Sequence, residues 1–152
     1  HSGNGSNPIS TTSSLVFDGK ESLGMAASLS SSGQDVHKSF SALNRGNVYL
    51  AAWINVSEAQ SGGEYFLHLG PNNLGTDFRA RVFIRKTTAN EFRVGISKSS
   101  NNPVYLDKDF DLNTTYLVVV KYQFLDSNGQ DDIVELNVLA TTDEALNEYC
   151  MA

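Results

Sequence analysis

The chain has 152 residues, enough for one well-filled core and too few for two ordinary domains. Apolar residues make up 40% and charged residues 18%, and the remainder is rich in Ser, Thr, Asn and Gly, a balance that suits strands and turns and not a helical bundle. Eleven basic against seventeen acidic residues leave a formal charge of -6, which argues against nucleic acid or an anionic membrane surface as partner, and no apolar run approaches the roughly 18 residues that insertion into a bilayer requires.

Taken in chain order, the polar opening His1-Ser2-Gly3-Asn4-Gly5-Ser6 starts a lead of residues 1–13 that reads as a linker or expression remnant, without an intact signal peptide. Short β-prone runs then alternate with turn clusters. Strands are expected at 15–17, 24–29, 48–56, 65–69, 78–86, 91–97, 104–106 with a continuation towards Phe110, 115–124 and 133–139. Ser61-Gly62-Gly63 and Asn72-Asn73-Leu74-Gly75 supply residues tolerant of positive φ, and Ser127-Asn128-Gly129 is a tight-turn signal. Two hairpins follow, 78–86 with 91–97 and 115–124 with the strand that ends at Leu139. The C-terminal stretch 141–152 reads as a tail, either a short helix capped by Thr142 or a linker.

A period of two sorts the side chains into faces. In 48–56, Val48, Leu50, Ala52, Ile54 and Val56 form a core set, opposed by Tyr49, Ala51, Trp53 and Asn55. In 78–86, Phe78, Ala80, Val82 and Ile84 face inward and Arg79, Arg81, Phe83 and Arg85 outward; in 91–97, Phe92, Val94 and Ile96 oppose Arg93, Gly95 and Ser97. In 115–124, Tyr116, Val118, Val120, Tyr122 and Phe124 oppose Leu117, Val119, Lys121 and Gln123, which predicts a central strand covered at least partly on both sides.

Leu15-Val16-Phe17-Asp18-Gly19, Val48-Tyr49-Leu50-Ala51-Ala52-Trp53-Ile54, Phe92-Arg93-Val94-Gly95-Ile96 and Thr115-Tyr116-Leu117-Val118-Val119-Val120-Lys121-Tyr122 resemble, in that order, the laminin-G-like or concanavalin A-like jelly-roll domains. Gly63-Glu64-Tyr65-Phe66-Leu67-His68-Leu69-Gly70 and Phe78-Arg79-Ala80-Arg81-Val82-Phe83-Ile84 are similar to stretches in modules of large secreted Bacteroidetes proteins. The resemblance covers roughly residues 14 to 139. It implies an all-β, two-sheet antiparallel jelly-roll sandwich over 14–140, a secreted or cell-surface location, and neighbouring domains of a larger chain as partners. Lectins, adhesion domains, glycoside hydrolases and polysaccharide lyases all use this fold, so it does not choose among them.

The outward residues point to a ligand. Tyr49, Trp53, Asn55, Arg79, Arg81, Phe83, Arg93 and Gln123 are expected to share one face, with Arg85, Lys121, Phe66 and His68 able to join it. Aromatic rings stack on the C–H faces of sugars, and Arg, Asn and Gln present planar hydrogen-bonding groups to hydroxyls, so the expected function is non-catalytic, lectin-like binding of a polysaccharide or glycan. Arginines at alternate positions of one strand repel unless an anion or carboxylates lie between them, which suits an acidic or sulfated glycan. The alternative is a structural or adhesive spacer in which the same face is solvated or packed against another protein.

Asp126, Asn128, Asp131 and Asp132 crowd oxygen ligands into one turn, and a structural calcium is weighed there against a simple acidic turn. Catalysis ranks lower. A retaining glycosidase needs two carboxylates about 5 Å apart, and Glu135 stands alone on its strand. A lyase could be assembled from His68 and Tyr122 beside Arg79 and Arg81, although no lyase motif is present. Cys150 has no partner for a disulfide within the chain.

Overall fold

The structure, a computed structural model, describes residues 7–30, 34–73, 75–125 and 131–141. The described elements are all strands, paired antiparallel throughout, and among the described residues no helix is long and apolar enough to cross a membrane. The chain divides into two compact units, His1–Ser41 and Ala42–Ala152.

In the first unit, β1 (Ser10–Thr12) pairs with β4 (Ala26–Ser28), and β2 (Val16–Phe17) pairs with β3 (Lys20–Glu21). Asp18 and Gly19, at φ of 52° and 68°, make the two-residue turn between β2 and β3, the left-handed conformation that a tight hairpin with right-twisted strands demands. The lead expected to run to residue 13 therefore contains a strand: Thr11 and Thr12, both β-branched, hold an extended backbone without any apolar pattern.

The second unit holds β5 (Gly46–Asn55), β6 (Glu64–Leu69), β7 (Arg79–Lys86), β8 (Glu91–Ser97), β9 (Val104–Tyr105), β10 (Phe110–Asp111), β11 (Thr115–Phe124) and β12 (Ile133–Leu139). One sheet has the order β10-β8-β7-β6, with β9 also paired to β8; the other has the order β12-β11-β5. Both expected hairpins form, β7 with β8 and β11 with β12. β11 is central as anticipated, in register with β5 from Thr115 opposite Asn55 to Phe124 opposite Gly46.

The two sheets close on one core in a sandwich-like arrangement. Ile54, Val118, Val120, Tyr122 and Val138 of the three-stranded sheet join Ala80, Val82, Phe92, Val94 and Phe110 of the five-stranded sheet. Three rings interlock at its centre, with Phe110 and Tyr116 edge-on at 5.1 Å and Phe92 within 6.1 Å of both. The Tyr116 hydroxyl is not wasted there, because the Asp111 backbone N–H donates to it at 2.9 Å.

Phe92 is fully enclosed by both sheets. Phe92→Ala is expected to cost about 3–5 kcal/mol, read as a lower urea midpoint, because the surrounding rings belong to two sheets and cannot both move in to fill the space.

Candidate functional site

The eight residues expected on one face fall on two. Tyr49, Trp53 and Asn55 lie on β5 and Gln123 on β11, whereas Arg79, Arg81 and Phe83 lie on β7 and Arg93 on β8. The core separates these sheets, so their outer faces point away from each other and no single ligand spans the set. Alternation distinguishes inward from outward; it carries no information about which sheet a strand joins, and here β5 pairs with β11 and with neither β6 nor β7.

On the three-stranded sheet Tyr49 is 64% exposed, and Lys121, its cross-strand neighbour, bridges to Glu135 at 3.2 Å. The Asn55 amide donates to Thr115 Oγ1 at 3.3 Å. Trp53 is partly buried and lies in a row with Leu117 and Leu139, an apolar stripe more than a polar groove.

The five-stranded sheet presents the denser chemistry, and it does so through two breaks in alternation. In β6 the pairing shifts register between Tyr65 and Leu67 and again between Leu67 and Leu69. Tyr65 and His68 consequently face outward together, while Phe66 and Leu67 both pack on the core, so Phe66 does not join the face as its phase suggested. In β7, Ala80 adopts a φ of 47°. That break sends Phe78, expected in the core, to the outer side against His68 at 4.4 Å and Tyr65 at 5.8 Å. It also turns Arg79 to Asp77, at 2.8 Å, and towards the hydroxyl of core-facing Tyr122, so Arg79 leaves the arginine row. Phe83 does face outward but is 9% exposed, covered by Tyr65 and by Arg81, whose guanidinium carbon is 5.1 Å from its ring centroid.

Each remaining arginine is handled separately. Arg85 and Arg93 stand directly opposite each other, a repulsive placement. Arg93 is answered by Asp109 at 2.8 Å and Asp107 at 3.3 Å, and the hydrogen bond from Arg93 holds the Asp109 carboxyl below the usual carboxylate range. Arg85 stacks on Tyr105 with its guanidinium carbon 4.1 Å from the ring centroid. Tyr105 can lie flat across the sheet only because position 95 is glycine, since a Cβ there would sit 2.7 Å from the ring. Burial pushes the Tyr105 hydroxyl up, with Arg85 pulling the other way.

Arg81 is held differently. Its Nε donates to Ser97 Oγ at 3.1 Å and its Nη2 to the Asn101 carbonyl at 3.0 Å, and among the described residues no carboxylate reaches it. It lines an open cleft of about 340 Å³ with Thr76, Asp77, Phe78, Ser99 and Ser100. Tyr65, Phe78 and Tyr105 were not among the residues picked from sequence. A glycine inside a strand was a usable sign of close approach by Tyr105; nothing in the composition of β6 or β7 marks the breaks that bring out the other two.

Of the proposed calcium ligands, Asp126 and Asn128 lie outside the described residues. Asp131 is exposed, but Asp132 is buried, accepting from the Tyr122 hydroxyl at 2.7 Å and the Leu125 N–H at 3.2 Å, so its carboxylate closes the hairpin from inside. Among the described residues no group of three or more His, Cys, Asp or Glu could hold a metal ion. The C-terminal stretch from residue 142, including Cys150, also lies outside the described residues.

Comparison with protein-family models, with curated proteins and with solved structures finds no match.

The buried Tyr122–Asp132 bond makes alkaline stability a readout of this architecture. Burial first, then the Asp132 hydrogen bond and charge, push the Tyr122 hydroxyl up to about 12. A folded-state value above the unfolded value of about 10 means that the contribution is complete below pH about 10 and is lost as pH rises through about 12. The melting temperature is expected to fall across that window. Tyr122→Phe should lower it at neutral pH, by leaving Asp132 one donor short, and should flatten the alkaline decline.

Proposed function

We propose that the second unit is a concanavalin A-like jelly-roll module of a secreted protein, and that it binds carbohydrate, without catalysis, on the outer face of its five-stranded sheet. The observation that carries this reading is the ring cluster of Tyr65, His68 and Phe78, with Tyr65 41% exposed, set beside the cleft that Arg81 lines. Ring faces suit sugar C–H surfaces, and the hydroxyls of Thr76, Ser99 and Ser100 with the Arg81 guanidinium suit sugar hydroxyls.

A non-catalytic role is supported by the chemistry of the cleft. Its carboxylate, Asp77, is engaged by Arg79 through both oxygens, at 2.8 and 3.0 Å, so it is not placed as a free acid or base. No second carboxylate lines the cleft among the described residues.

A glycan array probed with the full chain tests the proposal. Tyr65→Ala and Phe78→Ala are each expected to weaken the best glycan by about tenfold or more, equivalent to about 1.4 kcal/mol. Tyr49→Ala, on the opposite sheet, should bind as the parent does. No binding to any glycan, or loss on Tyr49→Ala with retention on Tyr65→Ala, would overturn it.

A further inference from the structure

Of the arginines on β7 and β8, Arg79 is taken by Asp77 and Arg93 by Asp107 and Asp109, whereas among the described residues Arg81 and Arg85 meet no carboxylate; Arg85 lies against the ring of Tyr105, and Arg81 is the one that lines the cleft. Arg81 is also fixed in direction. Ser97 and Asn101 occupy Nε and one Nη2 hydrogen, which form one side of the guanidinium plane. Tyr65 and Phe83 flank that plane, with its carbon 5.6 and 5.1 Å from their ring centroids. The terminal Nη1–Nη2 edge therefore has no partner among the described residues. It belongs to a side chain that lines the cleft with the hydroxyls of Thr76 and Ser100. The cleft lining holds one carboxylate, Asp77, and one guanidinium, Arg81; Asp77 is engaged by Arg79 from beside the cleft, so the three groups together sum to one positive charge. Two parallel N–H donors on a rigid plane match the two oxygens of a carboxylate or sulfate far better than they match one sugar hydroxyl.

We propose that the cleft takes an acidic carbohydrate, whose carboxylate or sulfate group is held two-pronged by the Nη1–Nη2 edge of Arg81 while the sugar ring rests on Phe78. This rests on the carbohydrate reading above and adds the charge of the ligand. The two hydrogen bonds and the two ring contacts of Arg81 limit its motion before binding, so little side-chain freedom is lost on capture.

Titration calorimetry with matched oligosaccharides separates the two sources of anion: an oligogalacturonate against its methyl ester, and a sulfated galactan oligosaccharide against its desulfated form. In at least one pair the acidic member is expected to bind about tenfold tighter or more. Arg81→Gln should erase that difference. Thr76→Glu, which keeps the guanidinium but sets a carboxylate on the cleft wall, should erase it too, and it decides the matter if Arg81→Gln does not fold by its melting curve. Equal affinities within both pairs, or a preference that survives both substitutions, overturn the acidic-ligand proposal and leave the carbohydrate reading standing. Absence of binding to all four probes overturns the acidic-ligand proposal, and the glycan array decides the carbohydrate reading.

Discussion

Tyr116, Val118, Val120 and Tyr122 all turn to one side of β11, and the enclosure of that strip by the opposite sheet is the constraint on which the rest of the second unit depends. Burial of each such side chain contributes on the order of 1.5–3 kcal/mol, so a register slip by one residue would turn the whole strip outward at a cost no surface contact could offset. The strip fixes β5 and β12 at its sides, and it fixes Phe92, Val94 and Val82 opposite. Two outer faces pointing in opposite directions are the necessary result, and any binding chemistry must be assembled from one sheet at a time.

This explains what the amino-acid pattern revealed and what it withheld. β5, β7, β8, β11 and β12 were legible because apolar residues recur at every second position and turn residues interrupt them; β6 was legible as a short β-prone run, and β10, expected only as a continuation of the run at 104–106, is a separate two-residue strand. Sheet membership was not legible, because Trp53 and Arg81 look alike to a period of two although they lie on opposite sides of the core. Asp18-Gly19 is a hairpin signal that marks β3, a strand too short and polar to be noticed by its own composition. The breaks at Phe66 and Ala80 have no such mark: alanine at positive φ is an uncommon choice, and only the surrounding pairings show that it is made.

The outer face of the five-stranded sheet shows how one surface disposes of several like charges. One guanidinium is shared with a carboxylate and the core, one is clasped by two carboxylates, one is laid on an aromatic ring, and Arg81 is steadied by a hydroxyl and a carbonyl. The last two arrangements orient the group without neutralising it, and of these two arginines Arg81 is the one that lines the cleft. Neutral anchors of this kind hold direction while preserving charge, which is the combination that recognition of an anion requires.

The irregular pairing of β6 has a second effect, on how molecules of this protein meet one another. β6 ends its sheet, and a bare strand border ordinarily offers a ladder of amides onto which another chain can zip. Six residues carrying two phase slips do not present evenly spaced rungs. The same distortion that swings Tyr65 and His68 to one side thus guards that border against strand-by-strand growth into fibrils, leaving encounters there to the rings and not to the main chain.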